Sequence, residues 1–160
     1  MKKFLIVSGL AALFLACGGG EEKKSESAAS TPASAEPAAS APASDEDAKK
    51  GIGKFTKVDV SPTLDGKMAE SGQTVYDVKC SSCHKLTDER LVGPGWKGVT
   101  ARRTPEWIMN FATNVDEMLA KDAEAQAQLE VCLVRMPNQN LTDNDARHVF
   151  EFMRKNDGVK

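Results

Sequence analysis

Cys80, Cys83 and His84 stand close enough along the chain to act on one cofactor. The run Cys80-Ser81-Ser82-Cys83-His84 has the C-x-x-C-H spacing that signals attachment of a c-type haem. Two thiols three positions apart at a helix end can reach the two vinyl groups on one porphyrin edge and form thioethers. The next residue is then placed to aim its imidazole at the iron. Composition alone would produce such a pentapeptide roughly 0.001 times in a chain of this length, so accident explains it poorly.

Other uses of the same residues fit less well. A thioredoxin-like C-x-x-C belongs beside βαβ patterns, which are absent here. A zinc site needs four ligands, and the sequence has no second C-x-x-C and no spaced histidine pair. A disulfide between Cys80 and Cys83 would leave His84 without a purpose.

The elements that must position these residues read as helical. Met68, Gly72, Val75, Tyr76 and Lys79 recur at three and four, predicting a helix that runs into Cys80. Thr104-Pro105-Glu106 is a helix start, with a hydroxyl cap, a first-turn proline and an acid near the positive end. Trp107, Ile108, Phe111 and Ala112 form the apolar face of that helix. Val115, Met118, Leu119, Leu129 and Cys132 suggest another helical stretch. A last helix is expected from Thr142, with Asp145 set for a capping box and Ala146, Val149, Phe150 and Met153 inward. No hairpin signal appears, so the fold class is all-α. Residues Gly51 to Pro62 alternate weakly and are expected to form an extended arm on the domain.

The 160 residues divide into three parts. Residues 1–17 read as an export signal, with Lys2 and Lys3 ahead of a mostly apolar stretch from Phe4 to Ala16. That stretch is too short to span a bilayer. Its end, Leu13-Phe14-Leu15-Ala16-Cys17, resembles the lipobox of bacterial lipoproteins, in which the cysteine is acylated. Phe14 stands where the pattern has a branched aliphatic residue; the alternative is an ordinary signal peptide in which Cys17 is incidental. Residues 18–50 read as a disordered tether: 17 of the 20 positions from Ser25 to Ser44 are Ala, Ser or Pro. As a flexible coil it would span about 30 Å, serving either to hold the domain near membrane partners or as a plain spacer. Residues 51–160 are long enough for one compact domain. The net charge of −2, from 21 Lys and Arg against 23 Asp and Glu, gives no support to nucleic-acid binding.

Over roughly residues 66–156 the chain resembles a class I cytochrome c of the small bacterial monohaem type. Gly72 and Tyr76, followed by Cys80-x-x-Cys83-His84, match the family's first helix and haem signature. Gly93-Pro94-x-Trp96-x-Gly98 resembles its G-P-x-L-x-G loop, with Trp96 in place of the usual aliphatic residue. Met136-Pro137 looks like the distal ligand and its following proline, and Val149 and Phe152 match the last helix's pair that packs across Gly72 and Tyr76.

The resemblance implies the cytochrome c fold around one covalent haem c. It makes His84 the proximal ligand, oriented by the Pro94 carbonyl, and Met136 the distal one. Among the six methionines, only Met136 lies in a proline-containing break between helices. His148 is a rival ligand, but it falls beside the apolar stripe of its helix and reads as structural. Asn138, Gln139 and Asn140 are either donors that tune the site or a polar turn. Arg102 and Arg103 are candidates to neutralise propionates. With Lys79, Lys85 and Lys97 they would form either a basic rim around the haem edge or an ordinary solvated surface. Trp107 reads as core rather than as a propionate donor, and Cys132 as a small buried hydrophobe.

Filling both axial places with protein leaves no open site for substrate, and no further acid–base constellation appears. The expected function is therefore that of an electron carrier, not an enzyme. It would work between envelope respiratory complexes on the periplasmic side, held to the membrane by lipid on Cys17. A quinol-oxidising complex as donor and an oxidase or reductase as acceptor fit the family. The alternative is a peroxidase-like enzyme or sensor with an open distal site.

Overall fold

The computed structural model describes residues 45–160. The leader, Cys17 and most of the tether lie outside the described residues. Among the described residues seven helices follow one another: α1 Asp45–Ala48, α2 Gly66–Lys79, α3 Val99–Arg102, α4 Pro105–Thr113, α5 Val115–Lys121, α6 Ala123–Cys132 and α7 Asp143–Asn156. Among the described residues there is no strand, only an isolated bridge between His84 and Arg90. The fold is all-α.

Local capping explains where the main helices begin. Asp65 accepts from the Met68 N–H at the start of α2, and Thr104 from the Trp107 N–H at the start of α4. At α7 the expected capping box is complete. The Asp145 N–H donates to the Thr142 hydroxyl at 3.1 Å, and the Thr142 N–H donates back to the Asp145 carboxylate at 3.1 Å. The Thr142 hydroxyl also donates to the Asp145 carboxylate at 2.8 Å, and this bond, with the one from the Thr142 N–H, holds the carboxyl below the usual carboxylate range.

The single stretch expected from Val115 to Cys132 is instead two helices. The break falls at Asp122, whose buried carboxylate accepts from the Ala125 N–H at 2.8 Å and the Trp107 indole N–H at 3.1 Å. A side chain engaged in capping the next helix and in a buried tertiary bond redirects the backbone at that point.

The helices pack chiefly through α2 against α7. Gly72 is the reason they come so close: a Cβ there would stand 2.0 Å from the His148 carbonyl oxygen and 2.9 Å from the Phe152 Cβ. Tyr76 continues the contact, its ring centroid 5.3 Å from that of Phe152. Next to Phe152, Glu151 is fully buried and accepts from Arg147 and Arg154 at 2.6 Å each and from the Asp65 N–H at 2.9 Å. Arg154 also donates to the Ser61 carbonyl at 2.7 Å. Burial pushes the Glu151 carboxyl up, but the two guanidiniums and the N–H outweigh it and leave its pKa below the ordinary value.

The arm lies extended along α4, as its sequence suggests, and polar side chains of α4 hold it there. Asn110 accepts from the Phe55 N–H and donates to the Lys50 and Phe55 carbonyls, while Glu106 accepts from the Val58 N–H at 2.7 Å. Ordered contacts also reach back past residue 51, since Thr104 donates to the Lys49 carbonyl.

Two outcomes follow. Gly72→Ala should destabilise the protein by about 1–3 kcal/mol through overpacking, exceeding the ~1 kcal/mol that alanine adds to helix propensity; denaturant unfolding reads this directly. Because the Glu151 pKa is lowered in the folded state, its contribution is present above its unfolded value and disappears as pH falls through the folded one. Glu151→Gln should therefore cost about 3 kcal/mol at neutral pH and show a flatter loss of stability in acid than the parent.

Candidate functional site

The attachment residues sit on a tight turn that continues α2. The Cys80 N–H still donates to the Tyr76 carbonyl, and the Cys80 carbonyl then accepts from the N–H groups of Cys83 at 3.0 Å and His84 at 2.9 Å. Both sulfurs and the imidazole border one cavity. Cys80 is buried, which pushes its thiol up to about 11, whereas Cys83 is half-buried. The cysteines carry no disulfide.

His84 is oriented from the next loop. Its Nδ1 lies 2.9 Å from the Pro94 carbonyl oxygen. A carbonyl can only accept, so Nδ1 carries the proton and Nε2 keeps a lone pair for a metal. Burial lowers the imidazole pKa, with the Pro94 bond acting in the opposite sense, and the neutral form is favoured. The loop reaches His84 because the Gly93 N–H donates to the Cys83 carbonyl at 2.9 Å and the Trp96 N–H to the Lys85 carbonyl at 2.9 Å. A Cβ at Gly93 would lie 2.3 Å from His84 Cε1, so only glycine allows the backbone to lie on the ring. Trp96 is buried behind it, 4.9 Å from Tyr76 and 5.5 Å from His84 between centroids. The Tyr76 hydroxyl donates to the His84 carbonyl at 2.7 Å, a link that residue spacing alone did not indicate.

The cavity has a volume of about 630 Å³, and Met136 lies on its wall together with Cys80, Cys83 and His84. Its other walls are mainly apolar, including Ile108, Phe111, Leu119, Leu129, Val149 and Met153. That size is in the range of small-molecule sites. Two thiols beside a neutral imidazole, facing apolar walls, fit a flat apolar macrocycle with a central metal. Met109 and Met118 are core residues away from this wall, and the Met118 sulfur accepts from the Ile52 N–H. Met153 is buried in α7 yet also borders the cavity, which its helical spacing did not reveal. His148 is not among the lining residues; its carbonyl faces Gly72.

Several peripheral residues are engaged differently from expectation. Arg102 and Arg103 both reach the cavity wall. Arg102 donates to the Lys97 carbonyl at 2.8 Å, while Arg103 pairs with Glu124 at 2.6 Å and lies over the Trp107 ring. Lys85 pairs with Glu89, and Lys79 donates to the Gln139 carbonyl at 2.9 Å. These cationic side chains tie loops of the domain together. Gln139 donates to the Pro137 carbonyl and Asn138 accepts from the Asn140 N–H, so both are engaged in a local turn. Cys132 is half-buried on the cavity wall rather than enclosed in the core.

The family model for cytochrome c matches residues 69–157. Among solved structures, cytochrome c from Rhodothermus marinus is similar at 28% identity and a TM-score of 0.64, over 69% of this chain and 93% of that one. An engineered form of the Rhodothermus marinus protein, Rma TDE, is similar at 28% identity and a TM-score of 0.66, over 71% of this chain and 98% of that one. The same engineered protein bound to a carbene intermediate gives 28% identity and a TM-score of 0.64, with the same coverage. No curated protein matches the chain. The C-x-x-C-H turn, the oriented imidazole, the cavity they share and these likenesses lead to one conclusion: the chain belongs to the cytochrome c family and carries a single covalently attached c-type haem.

Proposed function

We propose that this haem-binding electron carrier uses His84 and Met136 as axial ligands and works in a bacterial cell envelope. It is anchored through lipid on Cys17 and exchanges electrons with respiratory complexes on the periplasmic side. The observation that carries the reading is the common wall on which Cys80, Cys83, His84 and Met136 meet, with the His84 tautomer held by Pro94.

When bound, the haem supplies a centre that gains and loses one electron. The protein's part is to hold that centre still and dry. Cys80 and Cys83 fasten one edge near the surface, where Cys83 is half-buried. His84 presents Nε2 in a fixed orientation, and the Met136 thioether, soft and uncharged, favours the ferrous state relative to a second histidine. Held by both His84 and Met136, the haem would have no position left for a substrate to coordinate. Apolar walls from α4 to α7 exclude water and limit the reorganisation that accompanies a change of charge. An anchor on Cys17 would raise the domain's local concentration at membrane partners.

The ferric protein should show the weak near-infrared charge-transfer band of methionine bound to iron. Met136→Ala should lose the band entirely and gain ready binding of carbon monoxide when reduced; a parent protein that is high-spin and binds carbon monoxide equally well would establish the open-site alternative instead. In cells, Cys17→Ser should move most of the haem-stained protein from the membrane fraction to the soluble fraction. Retention in the membrane would refute the lipid anchor.

A further inference from the structure

The segment that bears Met136 is held to the rest of the domain in an unusual way. It begins after Leu133, which ends α6 in a left-handed conformation with φ of 59°, and it runs through Asn140, at φ of 50°, to the cap of α7 at Thr142. Between positions 134 and 141 no backbone group bonds to the backbone of another element among the described residues. Val134 is exposed, and the internal bonds at Asn138 and Gln139 are local. Such a stretch has little of its own to fix its place.

Met136 itself packs against the hydrophobic core, and cationic side chains tie down the residues around it. Arg90 donates to the Val131 carbonyl just before the segment, and Arg135 pairs with Asp116 on α5. Lys79 donates to the Gln139 carbonyl, three residues beyond Met136. Among the described residues, only the Lys79 hydrogen bond joins the segment to α2, which runs into the attachment cysteines: Lys79 is the last residue of α2 and adjoins Cys80. Lys79 and Gln139 both border the cavity, and the bond between them is partly buried. A charged donor to a carbonyl in that setting is stronger than a neutral hydrogen bond.

From this geometry we infer that Lys79 is a positioning residue that clamps the methionine segment to the attachment helix and keeps Met136 on the iron. The inference rests on Met136 as distal ligand. Lys79 does not itself touch the metal; it restrains the loop at one end, while Arg135 restrains the other. Removing the clamp leaves the thioether free to swing away more often, so that an added ligand competes for the vacated place more successfully.

The test uses mature holoprotein in the ferric state, titrated with imidazole at constant ionic strength and followed by the visible and near-infrared spectra. Lys79→Met, which keeps the length and apolar stem but removes the charge, should bind imidazole about tenfold more tightly than the parent, the effect of losing one charged hydrogen bond. Lys79→Arg, which can still donate to the Gln139 carbonyl, should stay within about twofold. So should Lys85→Met, because Lys85 pairs with Glu89 on the surface and removes a positive charge without touching the segment. If Lys79→Met fails to mature with haem, Lys79→Gln provides the same comparison through a shorter, uncharged side chain.

An unchanged imidazole affinity in the charge-removing variant, with the methionine band present in the parent, overturns the clamp and leaves the ligand assignment intact. Equal tightening in Lys79→Met and Lys85→Met also overturns it, by showing that general charge is responsible. A parent lacking the methionine band refutes Met136 as ligand and the clamp together.

Discussion

The bond between His84 Nδ1 and the Pro94 carbonyl is the constraint around which the site is arranged. It fixes the tautomer and leaves the other ring nitrogen with a lone pair for a metal. To make the bond, the loop from Gly93 to Gly98 must lie against the imidazole, and two further restraints hold it there. The Cys83 carbonyl receives the Gly93 N–H, and Trp96 fills the space behind the ring against Tyr76. The absence of a side chain at Gly93 is as necessary as the proline that follows it.

That arrangement works only if α2 delivers the cysteines and His84 to the right place, and α2 is set by its crossing with α7. The backbone of His148 occupies the volume a side chain at Gly72 would take, and Tyr76 links the crossing to the site by packing on Phe152 and donating to the His84 carbonyl. The buried Glu151 cluster then joins α7 to the first residue before α2 and to the end of the arm. Such a buried ionic group adds little net stability over an apolar one, but removing one partner strands the others without a counter-charge. Its effect is to define one register between α2, α7 and the arm.

The methionine side of the cavity follows a different principle. Among the described residues no ladder of backbone bonds holds residues 134–141; Met136 packs on the core and long cationic side chains reach across to the segment. Lys79, Arg90, Arg102 and Arg103 each donate to a carbonyl or a carboxylate of the domain itself.

Local chemistry made much of this protein legible from residue order. The C-x-x-C-H turn, the capped starts of α4 and α7, the glycine at the helix crossing and the all-α class depend on short spacings that carry their own physical reason. Tertiary structure alone decided the break at Asp122, the burial of Glu151 and Asn110, the place of Met153 on the cavity wall and the destinations of the cations. Each of these turns on a partner distant in sequence: Trp107 for Asp122, Asp65 and Ser61 for the Glu151 cluster, the arm for Asn110, Gln139 for Lys79. A periodic pattern reports which face of a helix is apolar, whereas a long polar side chain takes whatever donor or acceptor the fold brings within its reach.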